Sequence, residues 1–150
     1  MPSSDIAART LDQVVQLAAS ITGVMRDGLE ELDLTEPLAN LLWILDPEAP
    51  PLPLRKLALR LHCDPSNVSQ LSVQLEDKGL GQRRPHPEDG RVRTLVLTER
   101  GIEVRTQLLD LVAARSPLAV LGDAEQERLQ AMLTKALAAP RRLPRLPSAD

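Results

Sequence analysis

Between Pro65 and Asp77 five small polar residues, Ser66, Asn67, Ser69, Gln70 and Gln74, fall outside the apolar stripe of a short helical segment. Their hydroxyls and amides both donate and accept hydrogen bonds, as the edges of nucleic-acid bases require, and Asn or Gln can pair bidentately with adenine. A merely solvated helix face usually carries Glu and Lys, whereas this one is uncharged through most of its length. Four guanidinium groups follow at Arg83, Arg84, Arg91 and Arg93, separated by the turn-forming run Pro85-His86-Pro87-Glu88-Asp89-Gly90. Such a cluster suits phosphates or a minor groove. The chemistry implied is the reading of a duplex; the plain alternative is a solvated polar surface.

Other chemistries find little support. His62, Cys63 and His86 lack any recognised metal-ligand spacing, so no metal is expected. No nucleophile, base and orienting group stand in a recognisable set, so no enzyme is expected, and no cofactor. Gly79-Leu80-Gly81 follows a helix and lacks the strand-to-helix setting of a nucleotide loop. Cys63 is read as a small packed residue in preference to a redox switch.

The elements that must position these residues are mostly helical. The chain of 150 residues is 43% hydrophobic, contains no Phe or Tyr, and has Trp43 as its single aromatic. A core of Leu, Val, Ile and Ala at helical spacing favours a mainly α fold in one domain. Net charge is -3, but between Pro53 and Gly101 about nine Lys and Arg face about six Asp and Glu, a local excess of about +3. No apolar run approaches a membrane span, the first residues do not read as a leader, and one cysteine excludes an internal disulfide. A cytoplasmic protein without membrane contact is expected.

Apolar periodicity predicts six helices. The first runs from about Ser4 to Leu32, and the second from a Thr35 cap to about Leu45. The prolines of Asp46 to Pro53 enforce an extended linker. A short third helix, Leu54 to Leu61, ends at His62, a residue type tolerant of left-handed backbone. Asp64 caps the fourth helix, with Pro65 at its first position. Gly79 ends it, and strands at Gln82 to Arg84 and Val92 to Leu97 form a hairpin. Thr98 caps the fifth helix, to about Arg115, and the sixth begins near Gly122 with Glu125 completing its cap. The Pro-rich stretch 140–150 is expected to be a loose tail.

The pattern Leu57-Ala58-x-x-Leu61, Pro65-Ser66-x-Val68-Ser69, Leu71, Leu75-Glu76, Gly79-Leu80, Arg83, Asp89-x-Arg91 and Leu97-Thr98-x-x-Gly101 resembles the multiple-antibiotic-resistance regulator (MarR) family. The likeness spans residues 5 to 139, roughly, and includes the order of helices with a wing between the fourth and fifth. It implies a winged helix-turn-helix with a two-stranded β wing, about 35–97, in a single domain over 1–139. It implies a homodimer joined through helices from both termini, about 5–33, 98–115 and 122–139. Ser66, Asn67, Ser69, Gln70 and Gln74 would then lie in the major groove, and Arg91 in the minor groove with Asp89 steadying its guanidinium. Arg83, Arg84 and Arg93, on the same hairpin, are read as further DNA-binding residues, for backbone phosphates or the minor groove.

What the resemblance implies in function is a dimeric repressor of transcription that binds a pseudo-palindromic operator in double-stranded DNA and is relieved by a small-molecule effector. Trp43 would line the effector cleft. Two alternatives stay open: a winged-helix protein-interaction module, and a DNA-binding protein without an effector. Three departures stand out. Gly81 replaces a usual Val or Ile, so the first wing strand is expected to start late. The proline linker replaces a Ser/Thr cap, and a short strand there is expected to be lost. The lack of Phe and Tyr argues against an aromatic-lined pocket.

Overall fold

The computed structural model describes residues 4–139; the expected loose tail, 140–150, lies outside them. The elements run α1 (Ser4–Gly28), a 3-10 turn (Glu30–Leu32), α2 (Glu36–Ile44), α3 (Leu54–Leu61), α4 (Pro65–Asp77), β1 (Gly81–Pro85), β2 (Arg93–Leu97), α5 (Glu99–Arg115), a second 3-10 turn (Pro117–Val120) and α6 (Asp123–Ala138). Two compact units are distinguished, Met1–Pro117 and Leu118–Asp150. The core lies in the first and is aliphatic, with Leu38, Leu41, Leu42, Leu57, Val68, Leu75, Leu95 and Leu108 fully buried.

α1 is shorter than its periodicity predicts. It stops at Gly28, which packs so closely on α5 that an added Cβ would meet Leu111 Cδ2 at 2.5 Å, and the chain then tightens into the 3-10 turn. Only Met25 and Gly28 of α1 are buried; Ile21 and Val24 pack against the core partly buried, and the turns before them are mostly exposed.

Both helices of the helix-turn-helix end with the same device. In α3, His62 takes a left-handed backbone (φ 53°) and the amide of Cys63 donates to the Ala58 carbonyl at 3.0 Å. In α4, Gly79 takes φ 70° and the amide of Leu80 donates to the Leu75 carbonyl at 2.9 Å. This closure satisfies carbonyls that a helix end would otherwise leave unpaired. Two N-caps differ from expectation, since neither the Thr35 nor the Asp64 side chain makes a cap hydrogen bond. In α2, Pro37 at the second position removes one donor a cap side chain would use; in α4, the Asn67 amide donates to the Asp64 backbone carbonyl instead, at 3.0 Å.

β1 and β2 pair antiparallel, with Gly81 opposite Leu97, Arg83 opposite Leu95 and Pro85 opposite Arg93. The first strand does not start late: Gly81 is its first residue. A Cβ there would lie 2.8 Å from Leu75 Cδ2, so the core leucine of α4 occupies the space of a larger side chain. Of the strand expected to be lost in the linker, one bridge persists, Pro53 to Thr94.

The hairpin is joined to α5 through Thr98. Its hydroxyl donates to the Gly79 carbonyl at 2.6 Å and accepts the Gly101 amide at 3.0 Å. A Cβ on Gly101 would fall 1.9 Å from the Leu80 carbonyl oxygen. The Leu97-Thr98-x-x-Gly101 motif is therefore the joint between wing and helix. In the second unit, the Gly122 amide donates to Glu125 Oε2 at 3.0 Å and closes the first turn of α6.

Candidate nucleic-acid interface

α4 buries Val68, Ser72 and Leu75, and this inward stripe dictates what is left outside. Asn67, Gln70 and Gln74 follow one another at steps of three and four and form one outward row. Ser66, Ser69 and Val73 form the adjoining row, all exposed. Among the described residues, no hydrogen bond engages the side chains of Ser66, Asn67, Ser69, Gln70 or Gln74. The helix stands as a ridge between two clefts. On one side, a space of about 480 Å³ is lined by Asn67, Gln70 and Gln74 with Glu36, Asn40 and Cys63. On the other, about 490 Å³ is bounded by Ser69, Glu76, Arg83, Arg93 and Leu54.

The wing places its four arginines differently. Arg91 is exposed at the tip, where Asp89 Oδ1 accepts its backbone amide at 3.0 Å. That carboxylate thus steadies the backbone of Arg91, and no ion pair joins the two side chains among the described residues. His86 further stiffens the loop: its amide donates to the Val92 carbonyl at 2.8 Å and its Nδ1 accepts from Glu88 at 3.1 Å. Arg84 points away from α4 and donates to Gln82 Oε1 on the same strand face, at 2.8 Å from Nη2. Arg93 is exposed beside Arg83 in the cleft next to α4.

Arg83 is held. Its Nη2 lies 2.9 Å from Glu76 Oε2, its Nε donates to the same oxygen at 3.1 Å, and its amide donates to Oε1 at 2.8 Å. These bonds, the side-chain one first and the backbone one next, keep the Glu76 carboxyl below the usual glutamate range. Lys78, just past α4, donates at 2.9 Å to both the carbonyl and the carboxylate of Asp33, whose pKa is lowered chiefly by that hydrogen bond. Residue spacing gave no sign of either link, since each joins different elements.

Trp43 is half-buried and borders a cavity of about 310 Å³ with Ile21, Thr22, Met25, Asn40 and Arg60. Its carbonyl accepts from Arg105 Nε and Nη2 at 3.3 and 3.2 Å, which fastens the end of α2 to α5. A second cavity, of about 260 Å³, lies under the proline linker against Leu57, Leu95 and Ile102. Cys63 is partly buried among core residues, and no cluster of metal-ligating side chains occurs among the described residues. No helix among them is long and apolar enough to cross a membrane.

Two short helices joined by a tight turn, the second polar and unpartnered on its outer face, followed by a two-stranded arginine-bearing hairpin, define a winged helix-turn-helix fold. Residues 34–92 match the MarR family. The match runs from just before α2 to the residue that precedes β2, and over this stretch the chain is similar to that family. It is 28% identical over 107 residues to the HTH-type transcriptional repressor IacR of Pseudomonas putida, a match covering 70% of this chain and 64% of that protein. The chain thus spans less than two thirds of that relative's length. Its fold is shared by CouR from Rhodococcus jostii RHA1 bound to p-coumaroyl-CoA, with a TM-score of 0.69 and 21% identity over 92% of this chain and 95% of that one. It is shared equally by the repressor CouR bound to a 23-mer DNA duplex, with a TM-score of 0.64 and 21% identity over 91% and 98% of the two chains.

Proposed function

We propose that this protein is a sequence-specific, DNA-binding regulator of transcription, acting as a homodimeric repressor, and not an enzyme. The observation that carries the reading is the ridge of unpartnered amides and hydroxyls on α4 beside an arginine-tipped wing. Asn67, Gln70 and Gln74, with Ser66 and Ser69, read base edges in the major groove; Arg91 enters the minor groove, and Arg84 and Arg93 approach phosphates. Asp89 fixes the backbone from which Arg91 projects.

One reader of this size, with modest local charge, gains range and specificity by duplication. α1 leaves Leu11 67% and Val15 65% exposed, and α6 leaves Met132 63% and Leu137 85% exposed. Apolar faces of this kind call for a partner, and a second copy supplies it with two-fold symmetry matching a pseudo-palindromic operator. The single domain over 1–139 and its dimer-forming helices, about 5–33, 98–115 and 122–139, belong to this proposal, as does residence in the cytoplasm.

A specific observation favours control by a small molecule. The cavity beside Trp43 has a volume at the lower end of ligand sites, roughly 300–1,000 Å³, and joins α1 and α2 to α3 of the reader. A ligand that binds more tightly to a dimer with wrongly spaced reading helices would release DNA.

Selection of bound fragments from genomic DNA, followed by footprinting, tests the function. On the recovered site Gln70→Ala should weaken binding by about 1–3 kcal/mol and relax one base position. Arg91→Ala should lower the salt slope by about one unit. A flat salt dependence, with both variants unchanged, would instead favour a protein-interaction module.

A further inference from the structure

We propose that Glu76 is a positioning residue for DNA recognition: it grips Arg83 so that the wing is held at a fixed angle to α4, and Arg83 is thereby a brace instead of a phosphate contact. The inference rests on the DNA-reading function proposed above and assigns a role to a carboxylate that this function leaves without one.

The geometry is specific. Glu76 lies in the last turn of α4, and Arg83 is the third residue of β1. Between them the chain reverses through Gly79; packing of Gly81 on Leu75 and the Thr98 bonds hold the base of the hairpin, and the Glu76–Arg83 link is what ties the strand beyond its base to the helix. One carboxylate takes three donors, two from the guanidinium and one from the Arg83 backbone. The backbone bond fixes where the strand begins its course, and the two side-chain bonds fix its rotation about that point. Side chains of Glu76 and Arg83 are only 29% and 40% exposed, so the pair is less open to water and salt than an ordinary surface pair.

Strand alternation adds a reason for the pairing. Arg83 lies on the strand face that looks into the cleft beside α4, with Ser69 and Arg93 on its border, whereas Arg84 lies on the other face with Gln82. A carboxylate on that cleft would repel phosphates if left alone. Paired to Arg83, its charge is neutralised locally, and Arg93 and Arg91 remain to meet the duplex. Among the described residues neither of those two is engaged in an ion pair.

The two readings of Arg83 give opposite signs for Glu76→Gln. If Arg83 were a phosphate contact, removing the carboxylate would free a cation and leave binding unchanged or tighter. A brace requires the reverse. Glutamine keeps one oxygen for the Arg83 amide and preserves the fold, but it gives up the ion pair. In the full chain, on the duplex recovered by selection, Glu76→Gln is expected to weaken binding about three- to tenfold. Hydroxyl-radical protection should fade at the flanking minor grooves while major-groove protection persists. Arg83→Gln should cost a similar factor, and the double variant no more than either alone, as coupled partners do.

Equal or tighter binding by Glu76→Gln overturns the proposal. So does a loss in which both kinds of protection fade together, because that is general destabilisation. Hydrogen exchange of the free protein gives a readout that needs no DNA: amides of 82–95 should exchange faster in Glu76→Gln while those of α5 do not change. Unaltered exchange there refutes the brace even if the wild type binds its operator. If the wild type selects no duplex, the DNA-reading function fails, and exchange still decides whether Glu76 holds the wing.

Discussion

Gly101→Ala tests the joint between wing and α5. The added Cβ would sit 1.9 Å from the Leu80 carbonyl oxygen, 2.9 Å from its carbon and 3.3 Å from its Cα. A carbon next to a carbonyl oxygen rests at roughly 3.3 Å or more, so the two segments must separate by more than about 1 Å. The obstacle is backbone, which no rotamer change can remove. Separation also strains the Thr98 amide bond to that oxygen, 3.1 Å, and the two bonds of the Thr98 hydroxyl. Overpacking costs about 1–3 kcal/mol and one compromised buried hydrogen bond about 1 kcal/mol. Alanine's better helix propensity returns at most about 1 kcal/mol. The net expectation is a loss of about 1–3 kcal/mol, read from the midpoint of urea unfolding with an unchanged slope. Unfolding should be followed at several protein concentrations, because the stability of the proposed dimer would depend on concentration. A variant within about 0.5 kcal/mol of the wild type would show that Gly101 is not pinned against Leu80.

Gly28→Ala meets only the side chain of Leu111, which can rotate; its loss should be about 1 kcal/mol, smaller than that of Gly101→Ala in the same assay. Leu133→Glu with Leu137→Glu places charge on the exposed apolar face of α6 and should shift micromolar protein to monomer in sedimentation velocity; an unchanged dimer would remove α6 from the interface. The Glu76 carboxyl has a lowered folded-state pKa, so its contribution is present above the unfolded value and lost as pH falls through the folded one. The stability gap between wild type and Glu76→Gln should therefore hold from neutral pH down to about 4.3, the ordinary glutamate value, and close below it; a gap that widens on acidification contradicts the pairing. Trp43 is the single aromatic residue, so a ligand entering the cavity beside it should shift its emission, and Trp43→Leu should abolish the signal and weaken ligand-induced DNA release.

What the sequence determined by itself was the set of local decisions. The apolar stripe of α4 selects its outward residues, because helical geometry relates positions three and four apart whatever surrounds them. His62 and Gly79 end their helices by backbone tolerance, and Thr98 caps α5 through a residue three positions on. Tertiary structure decided the rest. Arg83 and Arg84 are neighbours of one type, and only strand register turns the first toward Glu76 and the second away, since a slip of one residue would exchange them. Gly81 begins a strand because Leu75 fills the space beside it, Pro53 finds Thr94 across the fold, and Arg105 reaches the Trp43 carbonyl 62 residues away in sequence. Such links depend on distances between elements that no periodicity encodes.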